Sequence, residues 1–389
     1  MTMIKSLLDN DLYKFSMQNA VINLFPYAKV KYAFINRGNT KFPEGFAEEL
    51  RKYIFKMSDL KITKDEKKFI QSKCYYLPPT YFDFLEGYSY DPSEVGVIQK
   101  GGELQVSVEG YWYRTILWEV PLMALISELY FIMTKPDIFP ENKIIDLASK
   151  KATKYNMLGV NVADFGTRRR FSYQNHKRIV QALVNYGKPS FIGTSNVHFA
   201  HLFNLTPIGT HAHEWFMFHA AKYGYTIANR AGLDNWVNVY RGDLGIALSD
   251  TFTTESFFKS FDTKFAKLFD GIRQDSGDPI EFAKKTIDHY KSLRIDPLTK
   301  TIVFSDALEP EKVEEIAHFC RGKIGMSFGI GTNFTNDVGT KPLNIVIKLT
   351  EAKPEGSDWI QTVKLSDNKG KHTGDEKAIN LCKTVLNIV

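Results

Sequence analysis

Residues 269–293 read FDGIRQDSGDPIEFAKKTIDHYKSL, and this stretch decides the fold class. A short apolar run ends in small and acidic residues, and a helical stretch follows at once. Asp278 can cap that helix, Pro279 suits its first position, and Glu281 can complete a capping box. The boundary therefore reads as strand, tight turn, helix. It puts Arg273, Asp275 and Ser276 at the carboxyl end of the strand.

The same grammar recurs on both sides. The runs are PSFIGTS (189–195), LTPIGT (205–210), GIALSDT (245–251), TIVFSDA (301–307) and GMSFGIGT (325–332). Strands alternating with helices imply parallel βα units, hence an α/β barrel or an open doubly wound sheet. Ser195, Thr210, Asp250, Asp306 and Gly331 then stand at strand ends, the face on which parallel barrels build active sites. Turn chemistry alone explains small polar residues at any one strand end. Six successive ends that supply Ser, Thr, His, Asp, Arg and Gly point to a shared site. Upstream, residues 30–37 and 104–112 read as strands, 44–57 and 63–73 as helices. EVPLMALISELYFIM, from residue 119, reads as a buried helix.

Composition narrows the class. A chain of 389 residues, 43% hydrophobic, suits two or three packed domains with a sizeable core. No apolar run reaches the roughly 20 residues of a membrane span, so no membrane role is expected. The N-terminus carries acids early and lacks an apolar core, so no signal peptide is expected either. Cys74, Cys320 and Cys382 form no CxxC pair, which fits free thiols in a reducing, cytoplasmic compartment. The net charge of +6 is spread among acids rather than blocked, so an anionic small substrate explains it as well as nucleic acid does.

Four motifs carry candidate chemistry. Phe165-Gly166-Thr167-Arg168-Arg169-Arg170 offers an aromatic face and guanidinium forks for phosphate or carboxylate, or else a solvated basic face. Gly329-Ile330-Gly331-Thr332-Asn333 can cradle a phosphate through backbone N–H groups and the Thr332 hydroxyl, or can be a plain turn. It is neither a Walker loop nor a dinucleotide fingerprint. His211-Ala212-His213-Glu214 can ligate zinc with Asp275 or Asp306, or can hold a nucleophilic histidine oriented by Glu214, or can be structural. His198 and His201 form a second candidate pair. Asp250, Asp275 and Asp306 suit Mg²⁺ with a polyphosphate, or sugar hydroxyls.

Together these segments resemble the nicotinate phosphoribosyltransferase family over nearly the whole chain. The resemblance is carried by LLDNDLYKFSMQNAV (7–21), FGTRRRFS (165–172), GTSNVHFA (193–200), PIGTHAHEW (207–215), LSDTFTTESFF (248–258), FDGIRQDSGDP (269–279), VFSDAL (303–308) and FGIGTNFTND (328–337). It implies the type II phosphoribosyltransferase architecture, an irregular α/β barrel with an N-terminal α/β domain. Residues 1–120 would form that first domain and 121–344 the barrel, with 345–389 returning to pack on the first domain.

The implied reaction joins nicotinate to phosphoribosyl pyrophosphate, giving nicotinate mononucleotide for NAD synthesis, with Mg²⁺ and with ATP hydrolysis assisting. A cytoplasmic homodimer with shared active sites is implied, with no nucleic-acid partner and no metal held directly by the protein. On the matching positions, Tyr13 stacks on the nicotinate ring from a neighbouring subunit and Phe165 covers the other face. Arg168, Thr210 and Arg273 contact nicotinate or the ribose phosphate, and Ser195 suits a carboxylate-bearing base. Asp275 and Asp306 lie near ribose and pyrophosphate, Gly331 and Thr332 hold the 5′-phosphate, and His213 is phosphorylated by ATP. His211 carries no implied role. The alternatives are a nicotinamide or quinolinate phosphoribosyltransferase and, from another class, a zinc-dependent barrel amidohydrolase.

Overall fold

The structure is a computed structural model, and it describes residues 3–368 and 372–388. Met1, Thr2 and residues 369–371 and 389 of the expected terminal domains lie outside the described residues. The strands are β1 (Lys29–Asn36), β2 (Val95–Lys100), β3 (Glu103–Tyr111), β4 (Asn161–Asp164), β5 (Phe191–Thr194), β6 (Ile246–Leu248), β7 (Gly271–Gln274), β8 (Thr301–Phe304), β9 (Gly325–Ile330), β10 (Ile345–Lys353) and β11 (Ile360–Gln361).

The chain forms two compact units. One comprises Met1–Asn19, Tyr32–Gly209 and Ile330–Lys348, and the other Ala20–Lys31, Thr210–Gly329 and Leu349–Val389. The division expected at residues 120 and 344 follows the grammar of the sequence, whereas the compact units are cut by packing and so gather discontinuous pieces.

In the first unit β2 and β3 form an antiparallel hairpin with Val97 opposite Val106. Along β3 burial alternates, with Leu104, Val106 and Val108 inward, as a half-buried strand requires. β4 and β5 pair in parallel. The helix Glu119–Thr134 is buried on nearly every side. With the turns before it, Trp112–Thr134 is 23 residues long and apolar enough to cross a membrane. That corrects the expectation that no run reaches such a length. With 83% of its most apolar window buried inside the protein, it is a core helix of this fold.

The expected strand at 205–210 is absent. Pro207 makes only a single bridge to Thr194, because proline has no N–H for a ladder. The segment still runs beside β5, with Ile208 N–H donating to the Thr194 carbonyl at 2.9 Å. At Gly209 a Cβ would lie 3.1 Å from the backbone nitrogen of Tyr13, so the glycine admits a close approach to the helix Leu12–Leu24.

In the second unit β6, β7, β8 and β9 pair in parallel in that order, with Gly271 opposite Thr301 and Thr301 opposite Gly325. Their carboxyl ends share one edge and deliver Asp250, Asp275, Ser305 and Asp306 there. The helix Pro279–Ser292 begins as read, with Asp278 accepting from the N–H groups of Ile280 and Glu281. Its capping box does not close: the Glu281 carboxylate instead accepts from Lys284 Nζ at 2.7 Å.

Candidate active site

The centre of the second unit is His213, the first residue of the helix His213–Tyr223. Its Nδ1 lies 3.1 Å from Thr251 Oγ1 and its Nε2 3.1 Å from Asp275 Oδ2. Asp250 Oδ1 stands 3.7 Å from the same Nε2. Glu214, expected to orient the ring, is replaced in that role by Thr251 and Asp275, which reach it from strand ends. Asp275 also accepts from Arg273 at 2.7 Å, and Arg273 Nε donates to Ser305 Oγ at 2.8 Å. Burial pushes the Asp275 carboxyl up, but Arg273, His213 and Lys364 outweigh it and hold it well below the usual range. Burial, helped by Lys364 and opposed by Asp250 and Asp275, pushes His213 down to about 4. The imidazole is therefore neutral at about pH 7. Since the Asp275 carboxylate can only accept, Nε2 carries the hydrogen and Nδ1 accepts from the Thr251 hydroxyl.

Thr210 Oγ1 donates to the Ile246 carbonyl at 2.9 Å. Asp306 sits on the turn after β8, beside Ala307, whose φ of +48° is unusual for a residue with a Cβ.

His211 takes no part in this cluster. Its ring is fully buried, edge-on to Trp236 at 4.7 Å and to Phe216 at 5.2 Å, and among the described residues neither nitrogen has a hydrogen-bond partner. That corrects the expectation of a satisfied or partly exposed side chain. The metal-competent grouping among the described residues is His213, Asp250 and Asp275, without His211, so the HxH pair of an amidohydrolase is not formed. His198 and His201 do not converge either: His198 meets the Tyr173 hydroxyl at 2.9 Å, and His201 packs on Phe69.

Burial pushes His211 to about 3 and His219 to about 4. A histidine whose folded pKa is depressed contributes stability fully above its unfolded pKa of about 6.5 and loses it as pH falls toward the folded value. Between about pH 6.5 and pH 5 the His211 contribution falls by about 2 kcal/mol, at about 1.36 kcal/mol per unit. His211→Phe keeps the aromatic packing and should flatten the acid branch of the stability curve by that amount. Urea titrations at the two pH values check it, and an unchanged pH slope would refute it.

The first unit holds the other group. Phe165 follows β4, and its N–H donates to the Ile330 carbonyl at 2.8 Å. Gly166 is required there: a Cβ would come within 2.3 Å of the Thr335 side chain, whose hydroxyl donates to the Gly166 carbonyl. This contact sets Phe165 beside Gly331 and Thr332, since Gly331 precedes the one-turn helix Thr332–Thr335. Arg168 lies on the 3-10 turn Thr167–Arg169, 38% exposed and 3.5 Å from Glu119. Glu119 is also paired with Lys14 at 2.6 Å. Ser195 is buried, and its hydroxyl donates to Asp11 at 2.8 Å. Tyr13 is 8% exposed within its own chain.

The three arginines of 168–170 are not equivalent, so the reading of a uniform basic face is corrected. Arg170 is fully buried and grips Asp9 with two bonds of 2.8 and 3.0 Å. Sequence reasoning missed Asp9, Asp11, Lys14, Asp164, Thr251 and Lys364. Asp164 is buried between His176, Thr194 and the Gly166 N–H, at 2.7, 2.7 and 2.9 Å. Lys364 stands 3.6 Å from Asp250. For all of these but Thr251, which gave no signal, the one signal was an ionisable side chain inside an otherwise apolar stretch.

Solved structures of known proteins share this architecture. A nicotinate phosphoribosyltransferase from Porphyromonas gingivalis superimposes with a TM-score of 0.97 at 46% identity, covering 99% of this chain and 100% of that one. Another, from Vibrio cholerae, does so with a TM-score of 0.92 at 32% identity, covering 100% and 95%. The fold is thus that of the type II phosphoribosyltransferases. The family profile described as nicotinate phosphoribosyltransferase (NAPRTase) matches residues 160–389, and that of its N-terminal domain residues 8–127. A relative from Chromohalobacter salexigens named nicotinate phosphoribosyltransferase is 58% identical over 387 residues, covering 99% of this chain and 98% of that protein. The chain belongs to the nicotinate phosphoribosyltransferase family.

Proposed function

We propose that the chain makes nicotinate mononucleotide and pyrophosphate from nicotinate and phosphoribosyl pyrophosphate, in the cytoplasm, as a homodimer whose ATP hydrolysis assists the transfer. Beside family membership, one observation carries this reading: His213 is held neutral between a hydroxyl and an ionised carboxylate, as a nitrogen nucleophile must be.

The pyridine nitrogen attacks the anomeric carbon as the bond to pyrophosphate breaks. Tyr13 and Phe165 would cover the faces of the base, and Arg168, Thr210 and Arg273 would contact the base or the sugar phosphate. Asp306 would sit near ribose and pyrophosphate, and Gly331 and Thr332 would hold the 5′-phosphate. Asp250 and Asp275 fit Mg²⁺ held through water, since Asp250 Oδ1 is buried and accepts no hydrogen bond among the described residues. Bound there, Mg²⁺ supplies neutralisation of the charge on pyrophosphate. His213 would take the γ-phosphoryl group of ATP on the ring nitrogen that carries a lone pair: an N–P bond forms as the bond to ADP breaks, Asp275 holds the N–H on the other nitrogen as positive charge develops, and that proton then leaves to solvent. Burial supplies the neutral ring.

Offering the purified chain nicotinate, nicotinamide and quinolinate in parallel tests the choice of base; product from nicotinamide alone would refute it. Sharing of sites between subunits has its own test. Mixing Tyr13→Ala with Arg273→Ala chains, each inactive alone, should restore part of the activity. No recovery would mean that every site is built from one chain.

A further inference from the structure

Ser195, the residue suited to a carboxylate-bearing base, forms a buried pair with Asp11, to which the reaction described above gives no part. Their exposures are 4% and 2%, and Ser195 Oγ donates to Asp11 Oδ1 at 2.8 Å. The backbone fixes both partners: Leu12 N–H donates to the Ser195 carbonyl at 2.8 Å, and Ser195 N–H to the Asp164 carbonyl at 2.7 Å. A serine hydroxyl has one hydrogen. While Asp11 holds it, Ser195 presents only lone pairs to anything on its other side. Lone pairs suit an amide N–H and oppose a carboxylate, and a second anion beside Asp11 is disfavoured unless the two share a proton.

We propose that Asp11 is a specificity-determining positioning residue: binding of a carboxylate-bearing base is coupled to uptake of one proton by Asp11, which then donates to Ser195 Oγ and turns the serine hydrogen toward the substrate. This rests on the reading that nicotinate is the substrate and that Ser195 meets its carboxylate. The proton comes from solvent on binding and returns to it when product leaves, so no other bond changes.

The surroundings suit such an acid. Burial pushes the Asp11 carboxyl up and Asp164 adds to the push, against Arg168 and the hydroxyls of Thr167 and Ser195. Arg168 is itself divided between this acid and Glu119, which Lys14 already neutralises, and Asp164 is hydrogen-bonded to His176. No single neighbour locks Asp11 in one protonation state.

Asp11→Asn imitates the protonated acid, because its amide N–H can donate permanently to Ser195. With saturating phosphoribosyl pyrophosphate, Mg²⁺ and ATP, kcat/KM for nicotinate is measured for wild type and Asp11→Asn between about pH 5.5 and 8.5. The wild-type value relative to the variant should fall by up to about tenfold per pH unit above the titration of Asp11, and KM should carry the change. In a Ser195→Ala background Asp11→Asn should keep only the gain from removing the charge, so its effect should be clearly smaller than in the wild-type background, a coupling that a merely structural role would not produce. A pH-independent ratio, or an effect of undiminished size without Ser195, would overturn the proposal. Should the variant fail to fold, calorimetry of nicotinate binding to wild type in two buffers of different ionisation heat decides. Uptake approaching one proton is expected, and none would overturn it. A wild-type chain that makes no product from nicotinate at any pH sinks the functional reading as well; an active chain with a pH-flat ratio sinks only this proposal.

Discussion

His213→Ala should lose all ATP-dependent phosphorylation and all stimulation by ATP, while keeping slow transfer from phosphoribosyl pyrophosphate. The imidazole is the neutral nitrogen in a frame of Thr251, Asp250 and Asp275, and its phosphate is labile to acid but stable to base, unlike an acyl phosphate on either carboxylate. The transfer step itself needs the base, the sugar and the electrostatics of Arg273 and Mg²⁺, so part of it survives. Activity with and without ATP separates the two effects, and label from γ-labelled ATP should map to His213. The zinc-hydrolase alternative predicts a different pattern: lost metal, no residual transfer, and equal damage from His211→Ala. With His211 enclosed by Trp236 and Phe216, its removal should act on stability and leave phosphorylation intact. Active enzyme without label on His213 would end the carrier role.

Arg170→Met should destabilise the fold by about 3–5 kcal/mol, the usual cost of leaving one half of a buried ion pair uncompensated. Both side chains are fully buried, and Asn196 donates a third bond to Asp9 at 2.9 Å. Burial pushes Asp9 up, but Arg170 and, less strongly, His198 and Asn196 outweigh it and hold its carboxyl near 2. Without the guanidinium, Asp9 must stay charged and alone or take up a proton. The double replacement Asp9→Leu with Arg170→Met should therefore cost less than Arg170→Met alone. Denaturant unfolding checks both, and a single variant within about 1 kcal/mol of wild type would contradict the account. Loss of the pair also loosens the segment that carries Phe165 and Arg168.

These two residues mark what the sequence could and could not tell. His213 was legible because it stands in a motif next to a strand end, and strand ends in parallel units gather chemistry. The helix after Asp278 was legible because a cap, a proline and an apolar period agree locally. Arg170 looked like one of three surface cations, since its partner Asp9 lies 161 positions away and nothing local announces a buried pair. β4 escaped notice as a four-residue strand, too short to show a period. LTPIGT read as a strand because its apolar pattern is right, yet Pro207 forbids the ladder. The fate of His211 depended on which rings enclose it, and helices supply those rings from 5 and 25 residues downstream. The site's residue types could be read along the chain; the pairs that set their protonation could not.

The central claim is tested most directly by following phosphorus signals in a mixture of the purified chain, nicotinate, phosphoribosyl pyrophosphate, Mg²⁺ and ATP. Nicotinate mononucleotide and pyrophosphate should appear together as phosphoribosyl pyrophosphate disappears, with ADP and phosphate formed alongside and faster transfer than without ATP. Phosphoribosyl pyrophosphate left unconsumed in the presence of nicotinate, by folded protein, would contradict it.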